Sequence, residues 1–181
     1  IGENAFSYAA SLEKVTLGEN ATIGKQAFYN CQSLKDIDLS KVTSIGEYAF
    51  SGDVYNICLD DNMQYAAVSK EGTYMYTYHA PALKTTDLTS ATSVGAHAFS
   101  YCRDLVNVKL GDAITEIPEY TFAGCESLNN INLGKVVTFG DYAFMEADLL
   151  AADLSAAETV GKYAFVNNKH LTNLTLNEEG T

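Results

Sequence analysis

Apolar residues recur along the chain in two alternating blocks. In one block, an Ile, Val or Phe precedes a Gly or Pro, and a pair ending in Phe follows, as in Ile45, Gly46, Ala49 and Phe50. The Phe residues of successive blocks are 21 to 23 residues apart, except for the 49 residues between Phe50 and Phe99. A unit this short cannot bury its apolar side chains alone, so the period predicts a solenoid of stacked coils.

The other block contains three apolar residues, as in Leu105, Val108 and Leu110. The spacing of two between the last pair places both side chains on one face of an extended strand. We predict eight such strands, stacked in parallel, one of them at Val54–Leu59. The Phe blocks begin with Gly or Pro and have apolar residues three and four apart, which predicts a short helical turn in each coil.

Composition and charge limit the possible partners. Hydrophobic residues make up 47% of the chain, yet no apolar run approaches the roughly 18 residues of a membrane span. The formal net charge of -12 opposes binding to nucleic acid, which requires clustered positive charge. We expect no nucleic-acid partner and no direct insertion into a membrane. Because the chain begins within a repeat and without Met, we also expect it to be a segment of a longer array.

Three of the four cysteines share one position in the repeat. Cys31, Cys102 and Cys125 each lie three residues after the Phe of their coil, where other coils have Ala9 and Ala147. We interpret them as buried thiols, because free Cys behaves as a small apolar residue. The alternatives are a disulfide between Cys102 and Cys125, or metal binding.

The long interval predicts an insertion at about residues 60–82. Within it, residues 66–69 and 74–78 flank a turn that contains Gly72, which is the pattern of a β-hairpin. Tyr74, Tyr76 and Tyr78 alternate onto one face of this hairpin. They either pack against the solenoid, which is the simpler interpretation, or contact a partner.

The outward positions of the predicted strands form two polar columns, because stacking brings equivalent residues of successive coils together. These columns could bind a protein or a glycan through hydrogen bonds, although they lack the Tyr, Trp and Arg that dominate tight interfaces. The alternative is a merely solvated sheet face, since exposed positions must be polar in any case. The candidate binding residues are Lys14, Thr16, Asp36, Asp38, Asn56, Thr85, Asp87, Asn107, Lys109, Asn130, Asn132, Asp153, Asn173 and Thr175.

A column of tyrosines lies just before the residue pair that ends in Phe. Tyr48, Tyr120, Tyr142 and Tyr163 occupy this position, and His97 replaces Tyr in one coil. We expect these rings to stack as local packing; the alternative is an adhesive stripe for a partner.

We predict no catalytic residue, no metal site and no cofactor. His79, His97 and His170 fall in different coils and at different positions of the repeat. A nucleophile elbow, a zinc-binding helix, a phosphate loop and the spaced carboxylates of a calcium loop are all absent.

The pattern Leu-x-x-Ile-x-Leu, then Ile-Gly-x-x-Ala-Phe, then Cys three residues on, resembles the BspA-like leucine-rich repeat family of bacterial surface proteins. The resemblance covers residues 1–181 and implies one α/β leucine-rich-repeat solenoid domain. Its expected features are a parallel sheet of short strands on one face, short helical turns on the other, and one β-hairpin insertion.

The same resemblance implies a non-catalytic adhesion or protein-binding module that is secreted or held at the cell surface. Its expected partner is a protein on a host or neighbouring cell, with a glycan as the alternative. The alternative is a spacer solenoid that presents other domains and has no ligand of its own. A segment of an array should expose apolar edges at its ends, around Phe6 and Leu12 or around Leu174 and Leu176. We therefore expect a tendency toward end-to-end self-association.

Overall fold

The computed structural model describes residues 1–52, 54–59, 73–78 and 80–177, with the backbone alone described for 54–59 and 73–78. In these residues the regular elements are all β-strands, numbered β1 to β15 along the chain. The repeat forms a solenoid, as predicted, because backbone hydrogen bonds connect equivalent positions of successive coils. None of the described residues belongs to a helix with the length and hydropathy of a membrane span.

The first face of the solenoid is built from the strands that the two-residue spacing predicted. They pair in parallel as β1 with β3, β7 with β9 and β11, and β13 with β15. The register brings equivalent residues together, so that Val108 pairs with Thr86 and with Ile131. The strands are β1 (Lys14–Val15), β3 (Asp36–Ile37), β7 (Thr85–Leu88), β9 (Asn107–Leu110), β11 (Asn130–Ile131), β13 (Ala151–Leu154) and β15 (Asn173–Leu176).

A second face consists of two-residue strands that end just before each Gly or Pro. They pair in parallel as β2 with β4 and β8, and as β10 with β12 and β14. Ile45 pairs directly with Val94, so the long interval between them adds only one coil. The strands are β2 (Thr22–Ile23), β4 (Ser44–Ile45), β8 (Ser93–Val94), β10 (Glu116–Ile117), β12 (Thr138–Phe139) and β14 (Thr159–Val160).

The predicted helical turns are wrong, because the Phe blocks form non-helical turns whose hydrogen bonds alternate in direction. The Tyr48 and Phe50 N–H groups donate to carbonyls of the next coil, at 3.0 and 2.8 Å. The Ala49 N–H instead donates to Gly46 within its own coil, at 3.3 Å. Tyr48 has a φ of 56°, and a left-handed residue interrupts any helical run. The α/β assignment is therefore corrected to a solenoid of β-strands and turns.

One strand also differs from its predicted pairing. Strand β5 (Val54–Leu59) is extended, but it pairs antiparallel with β6 (Thr73–Tyr78) instead of joining the parallel sheet. Both β5 and β7 match the predicted strand pattern within this interval. Each coil has room for only one strand on the first face, and β7 occupies that place because it pairs with β9. The predicted hairpin arm at 66–69 lies outside the described residues, and the insertion at about 60–82 stays a prediction.

The core is a stack of phenylalanine rings that runs through the solenoid. Phe50 and Phe99 stack at 5.3 Å between ring centroids, although 49 positions separate them in sequence. Leu and Ile side chains from both faces pack around the stack. With centroids 5.2 to 5.5 Å apart, the stack comprises Phe6, Phe28, Phe50, Phe99, Phe122, Phe144 and Phe165.

Most of the turns follow a glycine, which allows neighbouring coils to approach closely. A Cβ atom added at Gly95 would lie 2.4 Å from the Glu47 nitrogen and 2.6 Å from the Gly46 carbonyl carbon. Both atoms belong to the backbone of the preceding coil, which cannot move aside without breaking its hydrogen bonds. Glycine recurs here because a side chain would separate the coils.

The interpretation of the three cysteines as buried thiols is confirmed. Cys31, Cys102 and Cys125 are free and buried, and burial raises the pKa of each thiol. The Cys125 thiol donates to the Phe99 carbonyl of the preceding coil, at 3.2 Å. Asn168 occupies the equivalent position in the last coil and donates to the Phe144 carbonyl at 2.8 Å. In the four coils with Cys or Asn the position therefore carries a donor for the preceding coil, whereas the coils with Ala9 and Ala147 have no side-chain donor there.

We expect Thr86→Val to stabilise the protein by about 1 to 2 kcal/mol. Thr86 is buried at an inward position of β7, where Val108 stands in β9. Its hydroxyl has no hydrogen-bond partner among the described residues, so valine would remove an uncompensated polar group while keeping the shape. The measurement is the free energy of unfolding from denaturant titration.

Thr121→Val is the matched control for this substitution. Thr121 is also buried, but its hydroxyl donates to the Pro118 carbonyl at 2.8 Å. We expect this variant to lose about 1 kcal/mol, because a satisfied hydrogen bond disappears. A loss of stability in Thr86→Val comparable to that in the control would contradict the prediction.

Candidate functional site

Six of the predicted binding residues line one groove on the first face. The groove lies across β7, β9 and β11 and has a volume of about 840 Å³. Its floor is the parallel sheet, whose backbone groups are hydrogen-bonded between the strands. We call it the polar groove, and its outward side chains are those of Thr85, Asp87, Asn107, Lys109, Asn130 and Asn132.

Most of the other predicted residues lie elsewhere on the first face. Lys14, Thr16, Asp36 and Asp38 line a smaller groove of about 240 Å³ in the first coils. The side chains of the C-terminal set, which comprises Asp153, Asn173 and Thr175, are exposed on β13 and β15.

The candidates in the antiparallel pair do not belong to this face. Asn56 lies in β5 and pairs with Tyr76 of β6, so its prediction as a member of the first face is wrong. Tyr74 and Tyr78 also lie in β6, opposite Cys58 and Val54. Whether Tyr74, Tyr76 and Tyr78 bind a partner stays a prediction.

Side chains of the polar groove are connected between coils. Asn130 donates its Nδ2 to Asn107 Oδ1 at 3.1 Å, and Lys109 Nζ lies 3.3 Å from Asp87 Oδ2. Asn132 bonds both backbone groups of Leu110, accepting from its N–H at 2.8 Å and donating to its carbonyl at 3.1 Å. These contacts hold the side chains of the groove in one arrangement. Because they join neighbouring coils, they also help to stabilise the stacking of those coils.

Three predicted binding carboxylates close local turns. Asp38, Asp87 and Asp153 each accept a hydrogen bond from the backbone N–H two residues later, at 2.9 to 3.0 Å. The bonds from Ser40 and Ser155 lower the pKa values of Asp38 and Asp153. Burial raises the pKa of Asp87, but bonds from Thr89 and Lys109 outweigh it and lower the value.

Sequence reasoning missed this structural role, although a signal was present. In all three coils the Asp is followed two residues later by Ser or Thr, and Asp commonly hydrogen-bonds the backbone two residues on. One carboxylate oxygen of each Asp is therefore engaged within the repeat.

The tyrosine column forms a continuous stack of rings along the turns. Ring centroids lie 4.3 Å apart from Tyr48 to His97, then 4.7, 4.7 and 5.2 Å apart through Tyr120 and Tyr142 to Tyr163. The predicted stacking is therefore confirmed. We call these five residues, Tyr48, His97, Tyr120, Tyr142 and Tyr163, the tyrosine row. Burial lowers the pKa of His97, while Glu119 and Glu47 act in the opposite direction.

The histidines that the structure describes do not come together. His97 lies in the tyrosine row, and His170 forms a short hydrogen bond with Asp148, whereas His79 lies outside the described residues. Within the described part of the chain, no group of three or more His, Cys, Asp or Glu side chains could hold a metal ion.

The two ends of the described solenoid carry exposed apolar side chains at the predicted positions. Phe6 is 45% exposed in the first coil, and Leu174 and Leu176 are 54% and 45% exposed in β15. Leu12 is partly buried against the core. End-to-end association stays a prediction, which these surfaces make physically reasonable.

Two solved structures of bacterial leucine-rich repeat proteins match the chain, one of them with a similar fold. A leucine-rich repeat protein from Bacteroides ovatus ATCC 8483 matches with a TM-score of 0.63 and 23% identity, over 98% of this chain and 46% of that one. A leucine rich cell surface protein from Faecalibacterium prausnitzii A2-165 matches with a TM-score of 0.47 and 23% identity, over 97% of this chain and 62% of that one. This chain thus spans less than half the length of the first and less than two thirds of the second.

No curated protein matches the chain. The family model of the BspA type leucine rich repeat region matches residues 1–69 and 72–181, in six copies. These ranges include the Phe blocks, the first-face strands and the second-face strands described above. The chain therefore belongs to the BspA-type leucine-rich repeat family.

Proposed function

We propose that this chain is a non-catalytic binding module of a bacterial surface protein, located outside the cell, and that the polar groove binds its protein or glycan partner. The location is supported by membership of the BspA-type family. The binding site is supported by one observation: outward side chains from three successive strands converge on a single groove.

The chemistry of the polar groove suits recognition through many short hydrogen bonds. Thr85, Asn107 and Asn130 present hydroxyl and amide groups of short reach, and Lys109 and Asp87 add one charge of each sign. Such groups match peptide backbones or sugar hydroxyls. The contacts between coils hold these side chains in place before binding, which reduces the entropy lost on association.

A spacer solenoid is the second candidate function, and a different observation favours it. The Asn107–Asn130, Lys109–Asp87 and Asn132–Leu110 contacts already use much of the polar capacity of the groove within the repeat. In that case the polar side chains of the first face only hold neighbouring coils together and keep the solenoid soluble. The solenoid then presents other parts of a longer protein.

A pair of substitutions distinguishes the two functions. Thr85→Arg places a long side chain in the polar groove, and Thr159→Arg makes the same change at an exposed position of β14 on the second face. The intact chain and both variants are tested for saturable binding to immobilised extracellular-matrix proteins and to a glycan array at physiological salt. Circular dichroism confirms that each variant is folded.

We expect binding by the intact chain and by Thr159→Arg, with affinity reduced about tenfold or more in Thr85→Arg. Absence of saturable binding by the intact chain would favour the spacer function. Equal binding by the two variants would exclude the polar groove as the binding site.

A further inference from the structure

From Tyr48 to Tyr142 the ring faces of the tyrosine row cover one another, so the edges of these rings face outward, whereas Tyr163 ends the row and is 61% exposed. Adjacent rings from Tyr48 to Tyr142 are within 13° of parallel. The four residues that carry these rings, Tyr48, His97, Tyr120 and Tyr142, are only partly buried. Stacking a sugar on an aromatic side chain requires an open ring face. A surface composed of edges is therefore poorly suited to face-on glycan binding and better suited to protein side chains.

Carboxylates accompany the tyrosine row through its central coils. Glu47, Glu119 and Asp141 directly precede Tyr48, Tyr120 and Tyr142 in sequence. Glu119 and Glu47 act electrostatically on His97, and Glu119 and Asp141 act on Tyr120, so these carboxylates lie close to the rings. Lys25 forms an ion pair with Glu47 at 2.7 Å, and Asp141 accepts a hydrogen bond from the Lys162 backbone N–H at 2.8 Å. Glu119 and Asp141 therefore supply negative charge beside the row that no described cationic side chain neutralises.

Aromatic residues at these positions are unfavourable for the local backbone. Tyr48, Tyr120, Tyr142 and Tyr163 have φ values of 53° to 57°, and His97 has a φ of 56°. A bulky residue rarely adopts this left-handed conformation, which costs of order 1 kcal/mol or more. Asn4 and Gln26 hold the same position in the first two coils with φ values of 55° and 53°, so the turn itself does not require a ring.

We propose that the tyrosine row, with Glu119 and Asp141, is a second docking surface, whose partner is a protein segment rich in Arg or Lys. The carboxylates would pair with guanidinium or ammonium groups. The ring edges would contact the methylene stems of these side chains, and the phenol oxygens would accept hydrogen bonds from them. The formal net charge of -12 would attract such a partner from a distance.

Charge complementarity favours this partner, and strain at the row supports a functional role. Tyrosine is enriched in the cores of protein interfaces, and backbone strain tends to persist at functional sites. The surface is separate from the polar groove, since its rings are carried by the turns that follow the second-face strands.

The test uses the full chain and an oligoarginine peptide as the probe, with the dissociation constant measured by calorimetry at physiological salt. One variant combines Glu119→Gln with Asp141→Asn. Its control combines Glu158→Gln with Asp104→Asn, which removes the same charge from exposed side chains elsewhere. A third variant, Tyr120→Asn, keeps a residue that tolerates positive φ, so the fold is retained while one ring is lost.

We expect Glu119→Gln/Asp141→Asn and Tyr120→Asn each to weaken binding about fivefold or more, and the control to stay within about twofold of the intact chain. Thr85→Arg should bind the peptide normally, so this result is independent of the polar groove. Equal weakening in the row variant and its control would show attraction to net charge alone and would overturn the proposal. Absence of saturable binding by the intact chain would overturn it as well.

Discussion

Replacing Phe122 with alanine is expected to lower the free energy of unfolding by about 3 to 5 kcal/mol. Phe122 is fully buried inside the phenylalanine stack, with two rings beyond it on one side and four on the other. Its ring centroid lies 5.4 Å from that of Phe99 and 5.3 Å from that of Phe144. The substitution removes two ring contacts and leaves a cavity that the flanking coils cannot fill, because their backbones are hydrogen-bonded to the coil of Phe122 between them.

Denaturant titration with circular dichroism measures this loss, and Phe6→Ala is the control. Phe6 is 45% exposed and stacks on Phe28 at 5.5 Å, so its removal should cost clearly less. Stability in a solenoid depends on contacts between neighbouring coils. We therefore also expect Phe122→Ala to broaden the unfolding transition as its two sides become less coupled. Similar losses in both variants would contradict the assigned role of the central stack.

Replacing Gly124 with alanine should cost about 2 to 4 kcal/mol, the sum of backbone strain and overpacking. Gly124 has a φ of 68°, and a Cβ atom there would lie 2.4 Å from Cδ1 of Tyr101. The Gly124 N–H also donates to the Met145 carbonyl of the next coil at 2.7 Å. The backbone therefore cannot rotate to relieve the clash without losing a contact between coils.

A double-mutant cycle separates the two contributions. In a Tyr101→Ala background the ring is absent, so Gly124→Ala should cost only the left-handed backbone strain of about 1 to 2 kcal/mol. Gly18→Ala is the control, because no atom lies within 4 Å of its added Cβ, and its effect should stay within about 0.5 kcal/mol. An equal cost for Gly124→Ala in both backgrounds would exclude the clash with Tyr101.

The periodicity of the sequence predicted the first face correctly, because that face depends on local side-chain alternation. Val108 and Leu110 are two apart and both buried, whereas Lys109 between them is exposed. The second face could not be found in the same way. Ile45 and Val94 belong to strands of two residues, which are too short to show alternation and are defined by pairing between coils.

The turn conformation was predicted wrongly because apolar spacings of three and four fit both a helix and a turn with one left-handed residue. Tyrosine gives no sign of a positive φ, since Gly and Asn are the usual residues there. Asn4 at the equivalent position was the available clue, and it becomes readable only once the coils are aligned.

Six residues of the polar groove were identifiable from the columns of the repeat, whereas Asn56 was misplaced. Both Val54–Leu59 and Thr85–Leu88 match the strand pattern within one interval. The choice between them depends on pairing with β9 and β6, partners that are distant in sequence. The local pattern of apolar and polar residues cannot show which of the two segments joins the first face.

The sequence by itself determined the period of the solenoid, the phenylalanine core, the buried thiols and the polarity of the first face, because each follows from side-chain spacing repeated in every coil. The tertiary structure decided the second face, the left-handed turns, the pairing of β5 and the partners of the polar side chains. These features depend on hydrogen bonds and ring contacts between successive coils, whose geometry is set only when the coils stack.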